Sequence, residues 1–139
     1  MKSPQQELYD YVGYQSELMG YDTYDHLPME SENADYPFVQ IGDINIVPLP
    51  NKSAISAELN LTVNVWGNQD QRLVIDTMAN SLLMVVSKRF KTEHYRFRGM
   101  LSGSNVQMMQ DTSVPDTVLN HAIVQMKFRL IWKEVIDNG

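Results

Sequence analysis

The sequence predicts an α+β fold in which two main helices pack on a largely antiparallel sheet of about five strands, in the order α-β-β-α-β-β-β. Three features carry that expectation. Apolar residues recur at helical spacing near the N-terminus and again over 67–90. They alternate with polar residues in the segments between and after. Turn-rich stretches, mostly short, join the alternating segments, which favours antiparallel neighbours. At 139 residues the chain has the length of one domain, 1–139, long enough to bury a core without staples. It has no cysteine, so disulfides, thiolate catalysis and cysteine-based zinc sites are excluded.

The first element, "SPQQELYDYVGYQSELMG", is a helix with both ends marked. Ser3 suits the N-cap, Pro4 the first helical position, and Gln6 completes an S-x-x-Q capping box. Leu8, Val12 with Tyr11, Gln15 and Leu18/Met19 trace a mostly apolar stripe, and Gly20 suits a left-handed stop. Residues 21–36 are acidic and turn-rich, and Pro28 and Pro37 discourage helix at the residues before them. "YPFVQIGDINIV" then reads as a strand, with Phe38 anchoring the turn into it, Val39, Ile41, Ile44 and Ile46 alternating, and Gly42 at a bulge.

"SAISAELNLTVNVW" is the clearest strand in the chain. Ile55, Ala57, Leu59, Leu61, Val63 and Val65 face one way, and Ser56, Glu58, Asn60, Thr62 and Asn64 the other. It should pair with the preceding strand as a hairpin closed by the loop Pro48–Ser53. Over 67–90 the helical period places Val74, Met78, Leu82 and Val85/Val86 on one side, with Asn68 or Asp70 as cap and Lys88 and Arg89 at the negative end of the dipole. Three further strands follow: "HYRFRGML", the short "NVQMMQ", and "AIVQMKFRLIWKE", with "DTSVPDT" between the last two.

Net charge is −6, unevenly placed. Residues 1–47 carry nine acids against Lys2, a net of −8, whereas residues 48–139 carry eight acids and ten bases, a net of +2. That asymmetry bears on solubility and partners rather than on fold. The N-terminal stretch lacks the apolar run of a signal peptide and no segment is apolar enough to span a bilayer, so a soluble protein with no membrane partner is expected.

A search for chemistry returns little. His26, His94 and His121 lack metal-ligand spacing, and no nucleophile elbow, zinc-protease motif or phosphate-cradling loop is present. "DHLPMESE" offers Asp25, Glu30 and Glu32 without the register of a calcium loop. "KRFKTEHYRFR" interleaves Lys88, Arg89, Lys91, Arg96 and Arg98 with Phe90, Tyr95 and Phe97, ingredients of a nucleic-acid surface. Alternation, however, turns Tyr95 and Phe97 into the core, and an acidic chain lacks the expected basic footprint. The nine methionines, Met29, Met108, Met109 and Met126 among them, read as core gap-fillers before they read as an adaptable interface. The last strand keeps Ile123 and Ile131 on its outer side, and residues 54–66 present a polar face with few bulky charges. Both suit a subunit contact or one sheet face open to water.

"MKSPQQELYDYV", "LPMESENADYPFVQIGD", "LTVNVWG" followed by "RLVIDTMAN", and "SNVQMMQDTS" together resemble the small tail-completion proteins of long-tailed bacteriophages. These are similar in fold to tail terminators, or tail-to-head joining proteins, and the resemblance covers most of the chain. It implies a structural virion protein without catalytic residues, cofactor or metal. Copies close as a ring, generally a hexamer, on the tail tube, end its polymerisation and present a docking surface for the neck protein. The place implied is the tail–neck junction of the virion, and the host cytoplasm during assembly, with DNA a partner only in passage. A neighbouring head-completion or connector protein is the alternative within this class, and a nucleic-acid-binding accessory protein the alternative outside it.

On that expectation, the contacts at the two ring ends fall in the turn-rich loops Pro48–Ser53, with Pro48, Asn51 and Lys52, and Asp111–Thr117, with Asp111 and Asp116. An acidic lumen lets DNA pass by like-charge repulsion, which points to Asp25, Glu30, Glu32 and Asp35 as channel-lining or flanking residues.

Overall fold

The computed structural model describes residues 1–29, 32–49 and 56–133, with the side chains of Trp132 and Lys133 left aside. Two helices, α1 (Pro4–Leu18) and α2 (Arg72–Leu83), accompany seven strands in one sheet. The strands are β1 (Thr23–Tyr24), β2 (Phe38–Pro48), β3 (Ala57–Asn68), β4 (Arg89–Lys91), β5 (Tyr95–Gly99), β6 (Asn105–Asp111) and β7 (Leu119–Lys133). The α+β class and the antiparallel bias are as predicted. Two strands are additional: β1, the sheet's parallel member against β2, and β4, an antiparallel partner of β5. Both are too short to display an alternating pattern.

Strand order is β1-β2-β3-β7-β5-β4, with β6 also on β7. The central ladder joins β3 to β7 without a break, from Ala57↔Leu130 to Asn68↔Leu119. The other side of β7 is shared, residues 119–125 by β6 and residues from 128 onward by β5. The bulge expected at Gly42 is present, because the β2–β3 register shifts between Ile41 and Ile44.

One sheet face is dry. Leu59, Leu61, Val63 and Val65 of β3 and Val124, Met126, Phe128 and Leu130 of β7 are buried together with Leu8 and Val12 of α1 and Ile75, Ala79 and Leu82 of α2. Burying a large aliphatic or aromatic side chain contributes about 1.5–3 kcal/mol, so this stripe is the main source of stability.

The helix ends depart from expectation in detail. Ser3 caps α1, accepting from Gln6 N–H at 3.1 Å, but the Gln6 side chain donates to Asp10 Oδ1 at 2.8 Å instead of closing a capping box. An acid one turn on is a stronger acceptor pull than a second cap contact. The buried side of α1 runs Glu7, Leu8, Val12 and Ser16, and Leu18 lies outward. Gly20 does adopt a left-handed φ of 90°.

Helix α2 and the turn after it bury Met78, Leu82, Val85 and Val86 as predicted, but in the first turn Ile75 is buried in place of Val74, which is 46% exposed. Adjacent apolar residues leave the phase of a helix ambiguous, and Ile75 resolves it by packing against Gly67. Neither Asn68 nor Asp70 is the cap; Gln71 holds that position, and its side chain reaches back to accept from Asn68 N–H at 2.8 Å. The α-helix stops at Leu83 and Met84–Ser87 continue as a 3-10 turn, so Lys88 follows that turn as its C-cap, whereas Arg89 already belongs to β4.

Candidate assembly surfaces

Both α1 and α2 pack on one side, and neither helix covers the opposite face of the sheet. Its middle is neutral and laced across the strands. Asn60 donates to Asn45 at 3.1 Å, Thr62 to Gln125 at 2.9 Å, and Asn64 to Gln40 at 3.0 Å, while His121 Nε2–H donates to Asn64 Oδ1 at 2.7 Å. Such cross-strand pairs tie the strands together and satisfy these polar groups internally. Covering it therefore removes no unpaired charge from water, and Ile123 adds an apolar element at the centre.

The two ends of this face differ. At one, Trp66 stacks on His121 with ring centroids 3.8 Å apart and planes 10° apart. Phe38, opposite Trp66 in the ladder, meets Tyr24 edge-on at 5.5 Å and Tyr36 at 5.2 Å. Burial lowers the pKa of His121, only partly offset by Asp111, and the Trp66 indole Nε1 is buried without an acceptor. At the other end the paired positions Val47, Glu58, Arg129, Arg98 and Arg89 make a cross-strand row. Glu58 meets Arg129 at 3.4 Å and Lys127 at 3.9 Å.

Register also places the segments singled out in the sequence. Phe38 pairs with Trp66, Asp111 with Leu119, and Leu119 with Asn68, so the acidic segment before β2 and the 111–118 turn lie at one end of the central ladder. Pro48 pairs with Ala57 and Ala57 with Leu130, which puts Pro48 at the opposite end. A ladder of this length separates the two by roughly 35–40 Å.

Asp25 and Glu32 are brought together. Both His26 ring nitrogens face carboxylates, Nδ1 to Asp25 at 2.7 Å and Nε2 to Glu32 at 2.8 Å, an arrangement satisfied only when both carry protons. Hydrogen bonds to Asp25 and Glu32 accordingly raise the His26 pKa, and the same bonds lower those of the two acids. Asp35 is exposed just ahead of the cis Tyr36–Pro37 bond. Pro48 is exposed at the end of β2; Asp111 accepts from Ser113 N–H at 2.8 Å; and Asp116 is exposed with φ 58°. Glu30, Asn51 and Lys52 lie outside the described residues.

Tyr95 and Phe97 point into the core as alternation predicts. His94 is tied to buried Glu7, whose carboxylate accepts from His94 N–H at 2.9 Å and from Nδ1–H at 2.6 Å. Met78 and Met126 fill the core, whereas Met29, Met84 and Met109 are exposed. Sequence reasoning missed an apolar groove of about 610 Å³ where Tyr21 and Pro37 meet Leu73, Val74 and Met78. The pair Leu73-Val74 on a helix surface was its one visible signal. Among the described residues no cluster of metal-ligating side chains occurs, and no helix is long and apolar enough to cross a membrane.

No protein-family model matches the chain, and no curated protein matches it. Among solved structures it is similar to a chain of the virion of a native gene transfer agent (GTA) particle, with a TM-score of 0.65. Sequence identity is 13%, and the match covers 94% of this chain and 98% of that one. At this identity the likeness is one of fold, and it extends over nearly the whole of both chains.

Proposed function

We propose that this chain is a structural protein of a phage-like virion, and within it the tail terminator: a single domain whose copies close as a ring, a hexamer, on the finished tail tube. The observation that carries the reading is the shared fold with a virion chain along almost the entire length of both. The resemblance of "LPMESENADYPFVQIGD", "LTVNVWG" and "SNVQMMQDTS" to tail-completion proteins supports the finer role.

A ring grows by a head-to-tail contact repeated until rotation closes it, so each copy needs two different patches. The uncovered sheet face is suited to be one of them. Ending polymerisation needs two unlike ring ends, and the ladder supplies unlike ends: Pro48 at one, Asp111 and Asp116 at the other. These are the contacts assigned to tube protein and neck protein. Asp25, Glu32 and Asp35, with Glu30, flank the channel and keep passing DNA from sticking.

Deleting the gene tests the role. A terminator's loss leaves tails of uncontrolled length; normal tails beside unattached, leaking heads would transfer the chain to the connector class instead. Reversing Glu32 and Asp35 to lysine should slow DNA delivery while rings still form. Unchanged infectivity in that variant would remove the acidic lining from the account.

A further inference from the structure

The row Arg89–Arg98–Arg129 sets three guanidinium groups at directly opposed positions on neighbouring strands. Like charges so placed repel, and Glu58, which meets Arg129 but lies beyond it from Arg98, is the row's own acid. Arg98 is half-buried, and its guanidinium has neither a hydrogen-bond nor an ion-pair partner among the described residues. Strand positions that gather uncompensated positive charge on a half-buried face await an anion.

The same chain offers one elsewhere. Where α1 passes β1, a cleft of about 430 Å³ is lined by Tyr9, Asp10, Tyr14, Glu17, Tyr24 and Asp25. Asp10 is engaged by Lys2 at 2.8 Å and Asp25 by His26, but Glu17 has no side-chain partner among the described residues. Glu17 also sits in the last turn of α1, where the helix dipole disfavours an acid. Tyr14, 59% exposed, adds an open aromatic face. Carboxylates beside tyrosine faces suit a guanidinium, which donates a forked pair of hydrogen bonds to the acid and stacks on the ring.

These features lie apart. The arginine row occupies the uncovered sheet face near the Pro48 end, and Glu17 lies in the helix layer, where Ser16 meets Thr23 at 2.7 Å. One copy therefore does not join them within itself. We infer that the arginine row around Arg98 of one copy docks into the Tyr14–Glu17 cleft of a second copy of this chain, making the head-to-tail contact of the assembly. The inference rests on the ring reading above and names the two patches that reading requires. Because the patches lie at different levels along the strands, the strands tilt from the assembly axis when they meet.

Charge exchange in the full chain tests it. Arg98→Glu and Glu17→Arg are made singly and together, each checked for folding by its thermal melt, and mass is measured by sedimentation alone and with purified tail tubes. Each single reversal should cut assembled protein roughly tenfold, and R98E with E17R should restore it, since every contact then pairs glutamate with arginine again. The inference is overturned if folded single variants assemble like wild type, if the double variant stays as defective as the worse single, or if wild type never associates under either condition. Loss of DNA retention by R98E with assembly intact would also overturn it, assigning the row to phosphate. Rescue by the double variant together with normal tails after gene deletion would keep the contact and dismiss the terminator role; overlong tails without rescue would do the reverse.

Discussion

At the scale of single residues, Glu7 ties helix α1 to the sheet. It is buried on α1 yet charged, and it binds the turn between β4 and β5 through both the backbone and the ring of His94. Burial pushes its pKa up, but the hydrogen bonds from His94, with a further one from Thr92, outweigh that and leave it below the ordinary carboxylate value. A carboxyl lowered on folding stabilises above its unfolded pKa, near 4.5, and that contribution disappears as pH falls through the lowered folded value. Glu7→Ala should cost about 3 kcal/mol at neutral pH and flatten the acid side of the stability curve, read by urea unfolding between pH 3 and 7, roughly the span of the titration. An unchanged acid limb would mean that the contact contributes nothing net.

At the scale of elements, the crossing of β5 past the 3-10 turn admits no side chain. Gly99 N–H donates to Lys88 O at 2.9 Å, and a Cβ at Gly99 would collide with the backbone of Val86. Backbone on both sides of the clash cannot rotate away as a side chain would. Gly99→Ala should therefore destabilise by at least about 2 kcal/mol, with loss of the β4–β5 pairing seen by amide exchange. A melting temperature within a degree or so of wild type would contradict this packing. The strong elements, α1, β2, β3 and β7, were legible beforehand because each carries several repeats of one period. β1 and β4 were not, since two or three residues carry no period, and their existence depends on a partner strand being in place. The phase of α2 was likewise open until Gly67 made room for Ile75.

At the scale of the whole molecule, charge is sorted by position as well as by sequence half. The acidic segment before β2 lies with Asp111 and Asp116 at one end of the ladder, and the arginine row lies toward the other. Contacts between such ends are screened by salt, with the Debye length falling from about 8 Å at physiological ionic strength to about 3 Å at 1 M. Assembly of the copies should weaken several-fold over that range, whereas unfolding of the monomer should shift little, because the core beneath the helices is apolar. Sedimentation at the two salt concentrations reads the first and thermal melting the second. Assembly that strengthens with salt would point to the apolar groove at Leu73 and Val74 as the dominant contact instead.

The sequence by itself determined the class of fold, the pairing of β2 with β3, the bulge at Gly42 and which face of β3 and β7 is dry, because periodicity and turn chemistry are local and survive without context. It also revealed the charge imbalance between its halves. Only the tertiary structure decided where that imbalance lies in space: that Arg89, Arg98 and Arg129 share one row, that Asp25 and Glu32 close on His26, and that Glu17 has no side-chain partner among the described residues. Residues so distant along the chain become neighbours through strand register and loop closure, which no local pattern encodes.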